Sequence, residues 1–99
     1  MKQTQLKANI TATGKYLPKK VLTNHDMEKL VETSDEWIQA RTGIRERRIV
    51  ENGEATVDMS TKAVLDLMEK YDLDPKEIDA IILATVTPDM ILPCSAALV

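Results

Sequence analysis

Apolar positions along the chain recur with three different spacings, and each predicts a different element. Lys7 to Ala12 alternates, with Ala8, Ile10 and Ala12 on one side, which is the period of a strand. Gly14 and Pro18 punctuate its end, and Tyr16-Leu17-Pro18 turns the chain away. Met27, Leu30 and Val31 then follow helical spacing, predicting a short helix over His25–Val31 with Thr23 or Asn24 as its cap. A second short helix carries Trp37, and the branched residues of Ile44–Val50 predict a strand or extended segment bearing Arg45, Arg47 and Arg48. Ser60, Ala63, Val64, Leu67, Met68 and Tyr71 form one stripe, predicting the longest helix, Val57–Lys70, capped by Thr56 and packed on a sheet. Leu73-Asp74-Pro75 ends it, and Pro75–Ile78 makes a single further turn.

Ala80–Val86 is of the third kind, a near-continuous apolar run. A strand covered on both faces reads this way, as in a parallel sheet flanked by helices. Thr87-Pro88-Asp89 leaves its C-terminal end, where open α/β sheets commonly place ligands. Pro93-Cys94-Ser95-Ala96 opens another helix, with Pro93 in its first turn. Strand, two short helices, arginine-bearing segment, long helix, buried strand and helix onset together predict mixed α/β layering, with neither internal repeat nor low-complexity linker.

Composition narrows the function classes. The chain has 99 residues, 43% apolar and 29% charged, which is globular rather than disordered. With three aromatic residues in all and no phenylalanine, its core has to rest on aliphatics and methionine. A net charge of −3 argues against a nucleic-acid binder, which needs a broad basic surface. Cys94 is the single cysteine, so there is no intrachain disulfide framework. Met1 and Lys2 lead into a polar stretch without the apolar core of a secretory signal, and no run approaches the roughly 20 residues that span a bilayer. The expectation is a cytoplasmic protein that binds neither nucleic acid nor membrane and holds no metal.

Candidate chemistry concentrates in Thr33–Arg48, which contains the only tryptophan and four arginines. Thr33 or Ser34 can cap a helix here; with Thr33 as cap, Glu36 completes a capping box. Asp35 and Glu36 in the first turn and Arg41 in the last complement the helix dipole, and Gly43 supplies the left-handed residue that stops it. Trp37 and Arg41 stand one turn apart on one face. An indole beside a guanidinium suits a nucleotide, with a stacking surface for the base and a forked donor for phosphate. The same spacing equally fits a core tryptophan beside a solvated helix charge. Arg45, Arg47 and Arg48 fit a solvated strand edge or further phosphate contacts. His25, alone of its type, fits an exposed first-turn residue.

The string Thr33-Ser34-Asp35-Glu36-Trp37-Ile38 followed by Arg41-Thr42-Gly43-Ile44-Arg45-Glu46-Arg47 resembles β-ketoacyl-acyl carrier protein synthase III. Gly14-Lys15-Tyr16-Leu17-Pro18, Val21-Leu22-Thr23-Asn24 and Ala84-Thr85-Val86-Thr87-Pro88-Asp89 are similar to that family in the same order, so the likeness covers nearly the whole chain. It implies a thiolase-like layered αβαβα fold, of which residues 1–99 form one incomplete N-terminal domain at the opening of the first half. It also implies an enzyme that starts fatty-acid synthesis by decarboxylative Claisen condensation of an acyl-CoA, typically acetyl-CoA, with malonyl-acyl carrier protein, generally as a homodimer. Acyl-CoA is then a substrate and no separate cofactor is expected. By the same resemblance Trp37 stacks on the coenzyme A adenine, Arg41 contacts its phosphates and Thr33 lies near the adenine.

No catalytic residue is assigned within the chain. The family's nucleophilic cysteine belongs to a later Ala-Cys motif, with histidine and asparagine motifs that these residues also lack. Cys94 directly follows Pro93, where the family often has serine, and is expected to be a small structural residue, of the often-buried kind. The 99 residues by themselves are therefore expected to be inactive. A related condensing enzyme of secondary metabolism and a stand-alone, non-catalytic binding module are the alternatives.

Overall fold

A computed structural model describes residues 4–99; Met1 and Lys2, on which the reading of the N-terminus bears, lie outside the described residues. Two groups of elements follow each other along the chain. The first contains β1 (Lys20–Thr23), α1 (Asn24–Leu30), α2 (Asp35–Thr42) and β2 (Glu46–Ile49). The second contains α3 (Thr56–Tyr71), a 3₁₀ turn (Pro75–Glu77) and α4 (Ser95–Leu98).

β1 and β2 pair antiparallel, Lys20 opposite Ile49 and Thr23 opposite Glu46, and close the first group into a loop around the two short helices. Pattern alone does not predict β1, whose four residues Lys-Val-Leu-Thr are too few to display a period. Thr23 serves both elements. It ends the strand and caps α1, its Oγ1 accepting from the Asp26 N–H at 3.1 Å while the Asp26 carboxylate accepts from the Thr23 N–H at 3.0 Å. This reciprocal capping box satisfies donors that the first turn of a helix leaves open. His25 is exposed on that turn beside Glu28, as its position predicts.

α3 begins at Thr56, one residue before the predicted start, and Thr56 is not its cap. Ala55 occupies the cap position and has no acceptor to offer, so the open donors are met from elsewhere. Asp58 accepts from the Ala55 N–H at 2.8 Å, and Asp89, far along the chain, accepts from the Val57 N–H at 2.9 Å. Thr56 instead donates its hydroxyl to the Thr87 carbonyl at 2.6 Å. The Thr87-Pro88-Asp89 loop is thus tied to the head of α3. At the other end Asp72, in the left-handed region at φ 49°, stops the helix, and Asp74 caps the short turn that follows.

The segment before β1 crosses α3. A Cβ on Gly14 would lie 2.6 Å from the Ala63 carbonyl oxygen and 2.7 Å from the Leu67 Cβ, so only glycine permits this approach. Lys15 and Tyr16 reinforce it, the Lys15 N–H donating to Asp66 at 2.9 Å and the Tyr16 ring lying under the Lys62 ammonium at 4.5 Å.

Two predicted strands pair with nothing among the described residues. Residues 7–12 and 80–86 form no ladder, and Ile10 is 89% exposed, Ile82 95% and Val86 98%. A strand exists through its partner's hydrogen bonds, and neither segment has one here. No apolar side chain other than Pro18 is buried among the described residues, so the α3 stripe also packs on no sheet. α4 starts at Ser95 with Cys94 as its cap, which leaves Pro93 outside the helix rather than in its first turn. Cys94 is exposed, contrary to the expectation of a buried small residue. It lines an open cleft with Leu83, Met90 and Ile91, which leaves it accessible to solvent.

Candidate functional site

α2 is held by its ends. Ser34, not Thr33, is the N-cap, its Oγ accepting from the Trp37 N–H at 3.2 Å, so the capping box of Thr33 with Glu36 does not form. The Asp35 N–H donates to the Glu28 carboxylate of α1 at 2.8 Å, placing a negative charge at the helix N-terminus, where the dipole favours it. Gly43 closes the helix at φ 71°, and its N–H donates to the Gln39 carbonyl at 2.8 Å.

Trp37 and Arg41 share a face, as their spacing predicts. The Arg41 guanidinium carbon lies 5.6 Å from the indole centroid, within range of a cation–π contact. Trp37 is 57% exposed and Arg41 is exposed, so the core reading of the tryptophan does not hold among the described residues. Thr33, half-buried, lines a shallow cleft with Glu32, Ser34 and Trp37. The structure thus brings Thr33 and Trp37 into one cleft and sets Arg41 one turn along, beside the indole. This arrangement offers an open aromatic plane, a hydroxyl at one side and a cation at the other.

The remaining arginines separate. Arg47 donates to the Asn24 side-chain oxygen at 2.9 Å, and Arg48 donates to the Pro18 carbonyl at 3.2 Å and pairs with Glu46 at 3.4 Å. Both are engaged in holding the β1–β2 unit. Arg45 is exposed near Asp35. The Asp35 carboxyl is held below the usual carboxylate range, first by the Asn24 amide hydrogen bond and then by that of Gln39. Asp26 is lowered likewise by the Thr23 backbone and hydroxyl.

The residue that sequence reasoning overlooked is Asn24. It is 1% exposed and bonded to three separate parts of the chain. Its place beside Thr23 suggests nothing beyond an alternative cap, because its partners lie 11 to 23 residues away. Among the described residues no group of three or more His, Cys, Asp or Glu is arranged to hold a metal ion.

No protein-family model matches the chain. It is 59% identical over 92 residues to β-ketoacyl-acyl-carrier-protein synthase III 2 of Staphylococcus epidermidis, covering 93% of this chain and 28% of that protein. Among solved structures it is similar to the 3-oxoacyl-acyl-carrier-protein synthase III of Aquifex aeolicus, with a TM-score of 0.79 and 53% identity over 88% of this chain and 28% of that one. The priming β-ketosynthase of the R1128 polyketide pathway aligns at a TM-score of 0.62 and 37% identity, over 69% of this chain and 20% of that one. The chain therefore spans a little over a quarter of the length of the synthase III relatives it matches, and its fold is mixed α/β of the thiolase-like kind that the motifs imply.

Proposed function

Because the chain has the sequence and fold of an N-terminal portion of a β-ketoacyl-acyl-carrier-protein synthase III, we propose that it is the coenzyme A-recognition arm of such an enzyme. The observation that carries this reading is the exposed Trp37–Arg41 pair on a helix fixed at both ends. A base stacked on an aromatic ring gains about 1–3 kcal/mol, and that gain needs an indole open to solvent before the base arrives. Trp37 supplies the stacking face for adenine, Arg41 the donor fork for phosphate, and Thr33 the hydroxyl beside the base. Glu32, which lines the cleft next to Thr33 in sequence, disfavours phosphate there, whereas Arg41 favours it.

The whole enzyme, in this reading, transfers an acyl group from coenzyme A to a cysteine thiolate and releases the free coenzyme A thiol. Malonyl-acyl carrier protein then loses carbon dioxide, and its carbanion attacks the acyl-cysteine thioester. The products are the β-ketoacyl-acyl carrier protein and the regenerated thiolate. Covalent capture divides one difficult step into two easier ones. Acetyl-CoA is the typical donor, the parent acts as a cytoplasmic homodimer, and the 99 residues alone do not turn over substrate. No helix among the described residues is long and apolar enough to cross a membrane.

A second reading has one observation in its favour, the similarity to the R1128 priming ketosynthase, and places the parent in secondary metabolism. Both readings use the same arm. The test is steady-state condensation by the full-length enzyme with acetyl-CoA and malonyl-acyl carrier protein. Trp37→Ala and Arg41→Ala should each raise the KM for acetyl-CoA about tenfold, the equivalent of roughly 1.4 kcal/mol. Wild-type kinetics in both variants would refute the arm.

A further inference from the structure

Asn24 is the most deeply buried side chain among the described residues, and it is polar. Both donors of its amide are used, and its oxygen is engaged as well. Nδ2 donates to Asp35 Oδ1 at 2.8 Å and to the Ile44 carbonyl at 2.7 Å, and Oδ1 accepts from Arg47 Nη2 at 2.9 Å. Its backbone N–H donates to the Arg45 carbonyl at 3.1 Å. Asp35 is the first residue of α2, and Ile44 follows the glycine that ends it. One amide therefore holds both ends of the helix, and Arg47 fastens that amide to β2.

The held face and the open face of α2 are opposite. At 3.6 residues per turn, Asp35 lies about 200° around the helix from Trp37, as Gln39 does from Arg41. Gln39 Nε2 donates to both Asp35 oxygens at 2.8 Å, which stiffens the held face. Trp37 and Arg41 are left to project from a helix whose orientation is determined behind them.

We propose that Asn24 is a positioning residue for substrate recognition: its amide, locked between Asp35, Ile44 and Arg47, sets the tilt at which Trp37 and Arg41 meet the nucleotide of an acyl-coenzyme A. This rests on the nucleotide-arm reading of Trp37 and Arg41. Asparagine is required because the position needs two donors and one acceptor on a short stem. Aspartate has the same shape and keeps the bond from Arg47, but it loses both donors and sets a carboxylate against Asp35 and a carbonyl. Combining Asn24→Asp with Asp35→Asn restores a donor and an acceptor to that pair with the direction reversed.

The experiment uses the full-length enzyme and two acyl donors, acetyl-CoA and acetyl-pantetheine, which carries the same thioester without the nucleotide. The readout is the ratio of kcat/KM for the two. Asn24→Asp should lower this ratio about tenfold, through the KM for acetyl-CoA, since small displacements of positioning groups have effects of this order or larger. The Asn24→Asp/Asp35→Asn double variant should recover much of the loss. Asn24→Ser, which removes donors without adding charge, is measured alongside in case Asn24→Asp does not fold. A ratio equal to wild type in the Asn24 variants, with Trp37→Ala lowering it, overturns the positioning role. A ratio unchanged even by Trp37→Ala overturns the nucleotide-arm reading itself, and the positioning role with it.

Discussion

Residues 18–49 and residues 80–92 meet the same solvent with opposite means. In the first, the groups at the crossings find partners within the segment: Asn24 with Asp35, Ile44 and Arg47, Thr23 with Asp26, and Arg48 with Pro18. In the second, Ile81, Ile82, Val86, Ile91 and Leu92 are each more than half exposed, and no ladder forms. The arm is organised by hydrogen bonds whose partners lie within a stretch of about 30 residues, and a satisfied buried polar group favours one geometry strongly because each alternative leaves it unpaired. The apolar run has no such local rule. Its burial depends on neighbouring strands and helices, and these 99 residues span only 28% of the relative from S. epidermidis.

Hydrogen exchange on the 99-residue chain breaks the comparison most sharply. Amides of 80–86 should exchange at nearly the rate of an unfolded peptide, while those bonded across β1 and β2 and at Asn24 should be slowed at least about tenfold, as locally stable units are. Equal protection in the two segments would mean that the apolar run finds a partner within the chain. The next effect is smaller and confined to the arm. Gly43 has φ 71° and no atom within 4 Å of where a Cβ would lie, so Gly43→Ala meets no clash and carries only the conformational cost, about 1 kcal/mol. Denaturant unfolding of the full-length enzyme should show that loss, and a loss several times larger would point to a contact that this structure does not contain.

Acid should loosen the arm by the smallest increment. The Asp35 and Asp26 carboxyls are held below their ordinary value of 3.8 by hydrogen bonds from Asn24 and Thr23. A depressed folded pKa means that the stabilisation is present above the ordinary value and is lost as pH falls through the lower folded one. Trp37, the chain's only tryptophan, should therefore report a fluorescence change below about pH 4. Asp35→Asn should flatten it. An unaltered acid transition in that variant would separate Asp35 from the response.

What could be read from sequence follows the same division. Signals that act within a few residues were legible: Ser34 as one of two candidate caps, Gly43 as the stop of α2, Thr23 as a candidate cap of α1, and the Trp37–Arg41 spacing. The burial of Asn24 was not, because it depends on three partners brought together only by the fold. Nor was the use of Asp89 at the head of α3, where Thr56 had the better local claim to be the cap. β1 was too short to show a period. The run at 80–86 was read for a sheet whose other strands do not pair with it here. Resemblance supplied what spacing left open, by favouring the nucleotide over the core reading of Trp37.

The most direct test of the arm is calorimetric binding of coenzyme A to the full-length enzyme, its Trp37→Ala and Arg41→Ala variants, and Ile82→Ala as a reference outside the arm. The account predicts a Kd about tenfold weaker for each arm variant, from loss of one stacking or one charge-assisted contact, with the reference close to wild type. Undiminished affinity in both arm variants would contradict it.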